Sequence, residues 1–422
     1  MDVVSYGTLL VLGLVALGLT LLLAFPVKRL VTAIGWLDKP NWRKWHTGQV
    51  PLAGGLMIVC ATLIMVSLLH LWDPPAWQLW AAAAMVFAIA FADDRYPIRA
   101  RFRLAVQIVA AMLITVSAGW TLRSLGYSLG PFELSLGMLA LPFTILGMAA
   151  LTNAINMTDG LDGMAGGVVA CALFWLMLSF VWVAQDVGTQ GAGARAILVT
   201  EAFAMAKAIA ILLGATLGFL MFNQRLPWRA RAALFLGDGG SMMLGFTISA
   251  LCVHIVANYG EFGMPAAAVG WIIAVPVFDL FSCILRRLAA GVTPMTPDRR
   301  HMHHLLVALG VPVSRAVPVL QVGCLLCGLV GVAGWRLDVP DYAMFWALAA
   351  LFVGYHRLAL ATWKRLQPDA DLVGRQPEVL LPSSSVPASL AMPAATAQPV
   401  EGLQDTATAP RSRLPGRRAG FG

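Results

Sequence analysis

About eleven stretches of mostly apolar residues run through this chain, at 6–25, 52–71, 77–92, 104–120, 132–152, 164–184, 203–222, 242–258, 265–285, 316–335 and 341–361. Each is close to the ~20 residues a helix needs to span the hydrocarbon core of a bilayer. In lipid the backbone must satisfy its own polar groups, which leaves helices and closed barrels. A barrel would show ~10-residue segments of alternating polarity, and none occur. A soluble fold fails on composition: 59% of residues are hydrophobic and 12% charged, against roughly 45–50% and about 25% in soluble domains. The expected fold is all-α, a polytopic integral membrane protein with about eleven transmembrane helices. Asp2 and no Lys or Arg precede the first run, so it lacks the basic start of a cleaved signal peptide and is expected to span.

Basic residues predict the orientation, since Lys- and Arg-rich loops stay cytoplasmic. Lys28, Arg29, Lys39, Arg43 and Lys44 follow the first run, and Arg95, Arg99, Arg101 and Arg103 the third. Arg225, Arg229 and Arg231 follow the seventh, and Arg286, Arg287, Arg299, Arg300 and Arg315 the ninth. The alternate connections hold only Arg123, Arg195 and Arg336. The pattern predicts an amino terminus outside and odd-numbered spans leading into cytoplasmic loops. The net charge of +8 is thus mainly topological, and no nucleic-acid partner is expected.

Residues 1–365 are expected to form one transmembrane domain. Residues 366–422 turn to Pro, Ala, Ser, Thr and Gln, the composition of a disordered cytoplasmic tail. All six cysteines (Cys60, Cys171, Cys252, Cys283, Cys324 and Cys327) fall in or at apolar runs and are expected to pack as small apolar residues.

Four polar clusters exceed what topology requires, and all lie in predicted cytoplasmic connections. Asp93 and Asp94 stand together at the end of the third run; adjacent carboxylates at a membrane edge suit a cation or a proton transfer. Asn153, Asn156, Asp159 and Asp162 recur every three residues among glycines, the spacing of one helix face. Asp238 follows Gly237 and precedes Gly239, Gly240 and Ser241, either a helix cap or part of an anion-binding helix start. His301, His303 and His304 follow Arg299 and Arg300. Without HExxH spacing or a partner Cys they fit phosphate-oxygen donors better than zinc ligands. Carboxylates and amides suit hard Mg²⁺, which usually keeps substrate phosphates among its ligands.

Two classes of function fit a membrane protein with such clusters. A transporter places ionisable groups near mid-membrane, whereas here His254, Asp279 and Glu201 lie near run ends or flanks. An enzyme at the inner membrane surface is the favoured expectation, and a transporter of nucleotide sugar or lipid diphosphate the alternative.

These motifs resemble a known family. The chain is similar over about residues 1–365 to the polyprenyl-phosphate N-acetylhexosamine-1-phosphate transferases of glycosyltransferase 4 type, most closely the WecA/TagO-like undecaprenyl-phosphate N-acetylglucosaminyl 1-phosphate transferases. The resemblance rests on Asp38 to His46 followed by Pro51 to Gly55, the Asp93–Asp94 pair, the Asn153 to Gly163 run, Gly237 to Ser241, and Asp298 to His304. It implies transfer of a sugar-1-phosphate, most commonly that of N-acetylglucosamine, from a UDP-N-acetylhexosamine to undecaprenyl phosphate, with release of UMP. It also implies a bacterial inner membrane, an active site facing the cytoplasm, a requirement for Mg²⁺ (or Mn²⁺), and compatibility with a homodimer.

By the same resemblance Asn156 and Asp238 are expected metal ligands. Asp93, Asp94, Asp159, Asp162, His301, His303 and His304 are expected in catalysis, and Lys44, His46, Arg103, Asn153, Arg299 and Arg300 in substrate binding. Pro97 stands where the family often carries a third acidic residue, which removes that carboxylate from consideration. The histidine loop differs in form from that of the branch making the peptidoglycan lipid precursor, which demotes that substrate. The chemistry brings two phosphates together, so charge neutralisation and alignment should dominate it. A phosphate monoester has a second pKa of about 6, so the acceptor is largely dianionic near neutrality. Direct attack, with Asp93 or Asp94 orienting the lipid phosphate, is favoured over a phospho-aspartate intermediate.

Overall fold

The computed structural model describes residues 5–38, 48–73, 76–189, 195–293 and 301–366. Lys44, His46, Arg299, Arg300 and the tail from 367 onward lie outside these residues. The chain runs α1 (Tyr6–Ala33), a two-residue strand pair β1 (Leu37–Asp38) and β2 (Val50–Pro51), α2 (Gly54–Leu68), α3 (Ala76–Asp93) and α4 (Ala100–Met112). Then come α5 (Ala140–Thr158), α6 (Met164–Thr189), α7 (Arg195–Asn223), α8 (Gly237–Ala257), α9 (Ala266–Ile272), α10 (Ala274–Ala289), α11 (Met302–Ala308), α12 (Val313–Arg336) and α13 (Asp341–Leu366).

Each apolar stretch is largely helical, and the protein is an all-α, multi-pass membrane protein. Among the described residues nine helices are long and apolar enough to cross a membrane, α4 counted with the π-helical segment Leu113–Ser117 that continues it, and α9 with α10 makes a tenth if the bent pair is one span. The stretch at 52–71 yields α2, whose 15 residues rise only about 22 Å, short of a ~30 Å hydrocarbon core. The stretch at 265–285 breaks between Ile272 and Ala274 with a bend of 54°. Pro276 accounts for the restart: it lacks an N–H, and the first turn of α10 is where a helix tolerates that.

α8 is the centre of the bundle, packed by α2, α3, α5 and α6. Of its most apolar stretch 89% is buried, against 22% for α1 and 11% for α13, so the outer helices carry the lipid-facing surface. The beginning of α8 is fastened to α2 by backbone alone. Gly54 and Gly55 N–H donate to the carbonyls of Phe235 and Leu236 at 2.9 and 3.0 Å. A Cβ on Gly55 would lie 2.6 Å from Gly240 Cα, so both positions need glycine for the helices to meet. Phe235 N–H donates to Pro51 O at 3.0 Å, which anchors the β1–β2 pair beside α8.

At the far end of α8 a second polar group is sealed in. His254 is fully buried, stacks on Trp120 at 4.0 Å, and has Tyr259 Oη and Glu201 Oε1 at 3.0 and 3.1 Å from its Nε2.

Candidate active site

The candidate residues collect where α3, α5 and α7 end and α4, α6 and α8 begin. The chain turns after Asp93 because Pro97 cannot continue the helix, and Ile98 N–H donates to Asp93 Oδ1 at 2.6 Å. The other Asp93 oxygen accepts from Arg103 on the first turns of α4. Asp94 turns the opposite way. Its two oxygens accept the N–H groups of Asp238 and Gly239 at 2.9 and 3.2 Å, capping the start of α8. The adjacent carboxylates lessen their mutual repulsion by turning to different helices, though some of it remains.

Arg103 links the halves of this cluster, since its Nη1 also lies 3.1 Å from Asp238 Oδ2. Asn156, at the end of α5, donates through Nδ2 to Asp238 Oδ1 at 3.2 Å and to Ser241 Oγ at 2.9 Å. Burial raises the Asp94 pKa to about 7. The charges of Asp238 and, less strongly, Asp93 add to that, while the two backbone N–H groups hold it down.

The other members of the asparagine–aspartate run separate by task. Asn153 donates to Gln107 Oε1 and to Ala149 O, both at 2.8 Å, and so ties α5 to α4. Asp159 occupies the C-cap of α5. Asp162 accepts from Arg225 Nε at 2.8 Å and from Ala232 N–H at 3.2 Å, holding the connection between α7 and α8. Asn156 is the one whose side chain meets Asp238 directly among these contacts.

The histidine turn arrives from the other side. His303 and His304 come against Gly160: a Cβ there would lie 2.4 Å from His303 Nε2 and 3.2 Å from His304 Cε1. His303 Nε2 is buried with no hydrogen-bond partner. Burial, followed by the charges of His304 and His301, lowers its pKa well below the usual imidazole value, so it is neutral at pH 7. His301 stacks on His303 with ring planes 9° apart and places Nδ1 2.7 Å from Asp279 Oδ2. Burial opposes charge on His301, but the Asp279 carboxylate overcomes it and raises its pKa.

Asp279, Cys283 and His301 place their ligand atoms within 4.8 Å of one another. This is a poor metal centre. The Asp279–His301 separation is that of a hydrogen bond, and Arg286 Nη2, itself cationic, lies 3.0 Å from Cys283 Sγ. Cys283 is therefore one cysteine that meets polar partners as well as apolar ones. The sequence motifs did not single out Asp279, Arg225 or Gln107. A lone Asp inside an apolar run, as at Asp279, is the one signal that pointed to any of them.

The profile of glycosyl transferase family 4 matches residues 76–256, from α3 to the end of α8. A Yersinia pestis protein named undecaprenyl-phosphate alpha-N-acetylglucosaminyl 1-phosphate transferase is 32% identical over 340 residues, covering 78% of this chain and 86% of its own length. The chain belongs to glycosyl transferase family 4. Proteins with the same name from Escherichia coli K12 and Haemophilus influenzae are 30% and 33% identical, each over 82% of this chain and over 89% and 93% of their own lengths. Within this glycosyl transferase the family match includes Asp93, Asp94, Arg103, Asn156 and Asp238, whereas the histidine turn lies beyond its end.

Proposed function

We propose that this glycosyl transferase moves N-acetylglucosamine-1-phosphate from its UDP ester to undecaprenyl phosphate, releasing UMP at the cytoplasmic face. The observation that carries the reading is the convergence of Asp93, Asp94, Arg103, Asn156 and Asp238 at the start of α8, in a chain whose relatives bear that activity in their names. The basic connections near this end of the bundle support a cytoplasmic orientation.

The donor set suits Mg²⁺. Asp93 and Asp238 share the Arg103 guanidinium, Asp94 accepts the Asp238 N–H, and Asp238 and Asn156 stand side by side with the oxygen-bearing groups that a hard cation prefers. The Asn156 amide turns its Nδ2 to Asp238, and a half-turn of that amide presents its oxygen instead. Asp238 and Asn156 would hold the ion, which when bound would draw electron density from the diphosphate and screen its charge.

The protein's own part is to align and neutralise. Arg103 spans Asp93 and Asp238, where it can accompany a phosphate approaching either. Asp93 and Asp94 each accept hydrogen bonds at both oxygens. Such tethered carboxylates suit orientation better than nucleophilic attack, and this favours direct displacement by the lipid phosphate. Purified protein should release UMP only when divalent metal, UDP-N-acetylglucosamine and undecaprenyl phosphate are all supplied. Binding of the UDP-sugar without UMP release from any lipid phosphate would end this reading. Configuration at phosphorus should invert; retention would favour the phospho-aspartate route.

A further inference from the structure

The buried polar group around Asp279 has no part in the scheme above, yet it is the anchor of the whole histidine turn. Asp279 Oδ1 accepts the N–H of Met302 at 2.9 Å and the hydroxyl of Tyr355 at 3.0 Å. Oδ2 accepts from His301 Nδ1 at 2.7 Å. One carboxylate from α10 thus gathers the first residues of α11 and a tyrosine of α13. With Nδ1 spoken for, Nε2 is the remaining polar atom of the His301 ring. A histidine whose one nitrogen is bound by a carboxylate has its tautomer and orientation set by that bond.

We propose that Asp279 is a positioning residue for sugar-phosphate transfer: it orients His301 and holds the ring as a cation whose Nε2–H donates to a substrate phosphate. This rests on the transferase reading of the site. Nδ1–H stays on the bond to Asp279, Nε2–H is offered to the phosphate, and nothing is transferred covalently.

The neighbours of His301 support the assignment. On α10 it faces Asp279, with Cys283 Sγ at 3.4 Å and Arg286 behind that thiol. On α11 it faces His303 and His304, and on α13 Tyr355 reaches Asp279. The carboxylate is the one anion in this set, so charge on the ring depends on it. His303 remains neutral beside it and carries the turn to Gly160, next to Asp159.

The test compares UMP release by wild type, Asp279→Asn, His301→Gln and the double variant, as ratios to wild type at each pH. Asn can still accept from Met302 and Tyr355, but it presents an amide to His301 and removes the charge. Asp279→Asn should lose about tenfold or more near pH 8.5, and should recover to within about threefold near pH 5.5, where an ordinary imidazole of pKa ~6.5 is protonated. His301→Gln should be impaired at both, and the double variant no worse than His301→Gln. A ratio for Asp279→Asn that does not vary with pH, or additive losses in the double variant, would overturn the proposal.

A ¹⁵N-histidine titration of full-length wild type, assigned by the signal lost in His301→Gln, gives a second readout that does not need Asp279→Asn to fold. The His301 ring should keep both protons through about pH 8, and loss near pH 6.5 overturns the idea. If wild type releases no UMP, the transfer reading fails, and the titration still judges the Asp279–His301 pair.

Discussion

Asp94 and Asp238 are joined side chain to backbone: the Asp94 carboxylate accepts the Asp238 N–H at 2.9 Å and the neighbouring Gly239 N–H at 3.2 Å. The two aspartates therefore differ in task although both are drawn into one site. Asp94→Ala should cost about 1–3 kcal/mol, the scale for stranding buried backbone donors, visible as a lower thermal midpoint in detergent. Asp238→Ala leaves that cap intact. It should abolish UMP release, by about 10²-fold or more, with a smaller change in midpoint. Equal thermal effects for the two variants would contradict the division.

Removing divalent metal should silence the protein, and Mg²⁺ or Mn²⁺ should restore it. Binding to the folded state raises stability by mass action, so saturating Mg²⁺ should lift the thermal midpoint of wild type. The lift should vanish in Asp238→Ala. A midpoint indifferent to Mg²⁺ in wild type would count against a resident ion.

Gly160 is hemmed in by His303. Gly160→Ala places a methyl 2.4 Å from His303 Nε2, an overpacking that typically costs about 1–3 kcal/mol. Transfer should fall as the histidine turn is pushed away. Gly160→Ala combined with His303→Ala should unfold at a higher temperature than Gly160→Ala alone, because the clash is relieved. A double variant that is merely the sum of two losses would place the contact elsewhere.

His301 ties stability to alkaline pH. Its folded-state pKa is raised by Asp279, while the unfolded ring should titrate near ~6.5. The pair therefore contributes in full below the unfolded value, provided Asp279 is ionised, and its contribution is lost as pH rises through the raised value. The thermal midpoint should decline from about pH 7 upward in wild type, and more shallowly in His301→Gln. Parallel curves would show that His301 carries no such linkage.

Asp162 and Arg225 clasp the α7–α8 connection at 2.8 Å. Asp162→Asn and Arg225→Ala should each lower stability, and their combination should fall short of the sum by about 1 kcal/mol, the usual coupling of contacting residues. Additive losses would mean that the pair does not act as a unit.

Much of this molecule is legible from apolar patterning, because lipid leaves the backbone few choices. Hydropathy is nevertheless blind to where a helix bends. The run at 265–285 reads as one span, and only Pro276 hints that it restarts after Ile273. The run at 52–71 likewise conceals how early α2 ends. The motifs mark residues that the fold brings together, since Asp93, Asp94, Arg103, Asn156 and Asp238 meet at the start of α8. Spacing alone could not sort roles within the Asn153 to Asp162 run, where Asn153 turns to Gln107 and Asp162 to Arg225, partners remote in sequence. Asp279 was hidden for a similar reason: its partners His301 and Tyr355 are 22 and 76 residues away.

The burial of α8 on nearly every side has a consequence for traffic. Wedged among α2, α3, α5 and α6, with Gly55 against Gly240 at one end and His254 enclosed at the other, this helix offers almost no face to lipid. The candidate centre at its start is framed by other helices rather than by the bilayer. In the proposed reaction a lipid-borne acceptor would therefore have to bring its phosphate in past the outer helices, while its hydrocarbon tail stayed in the membrane.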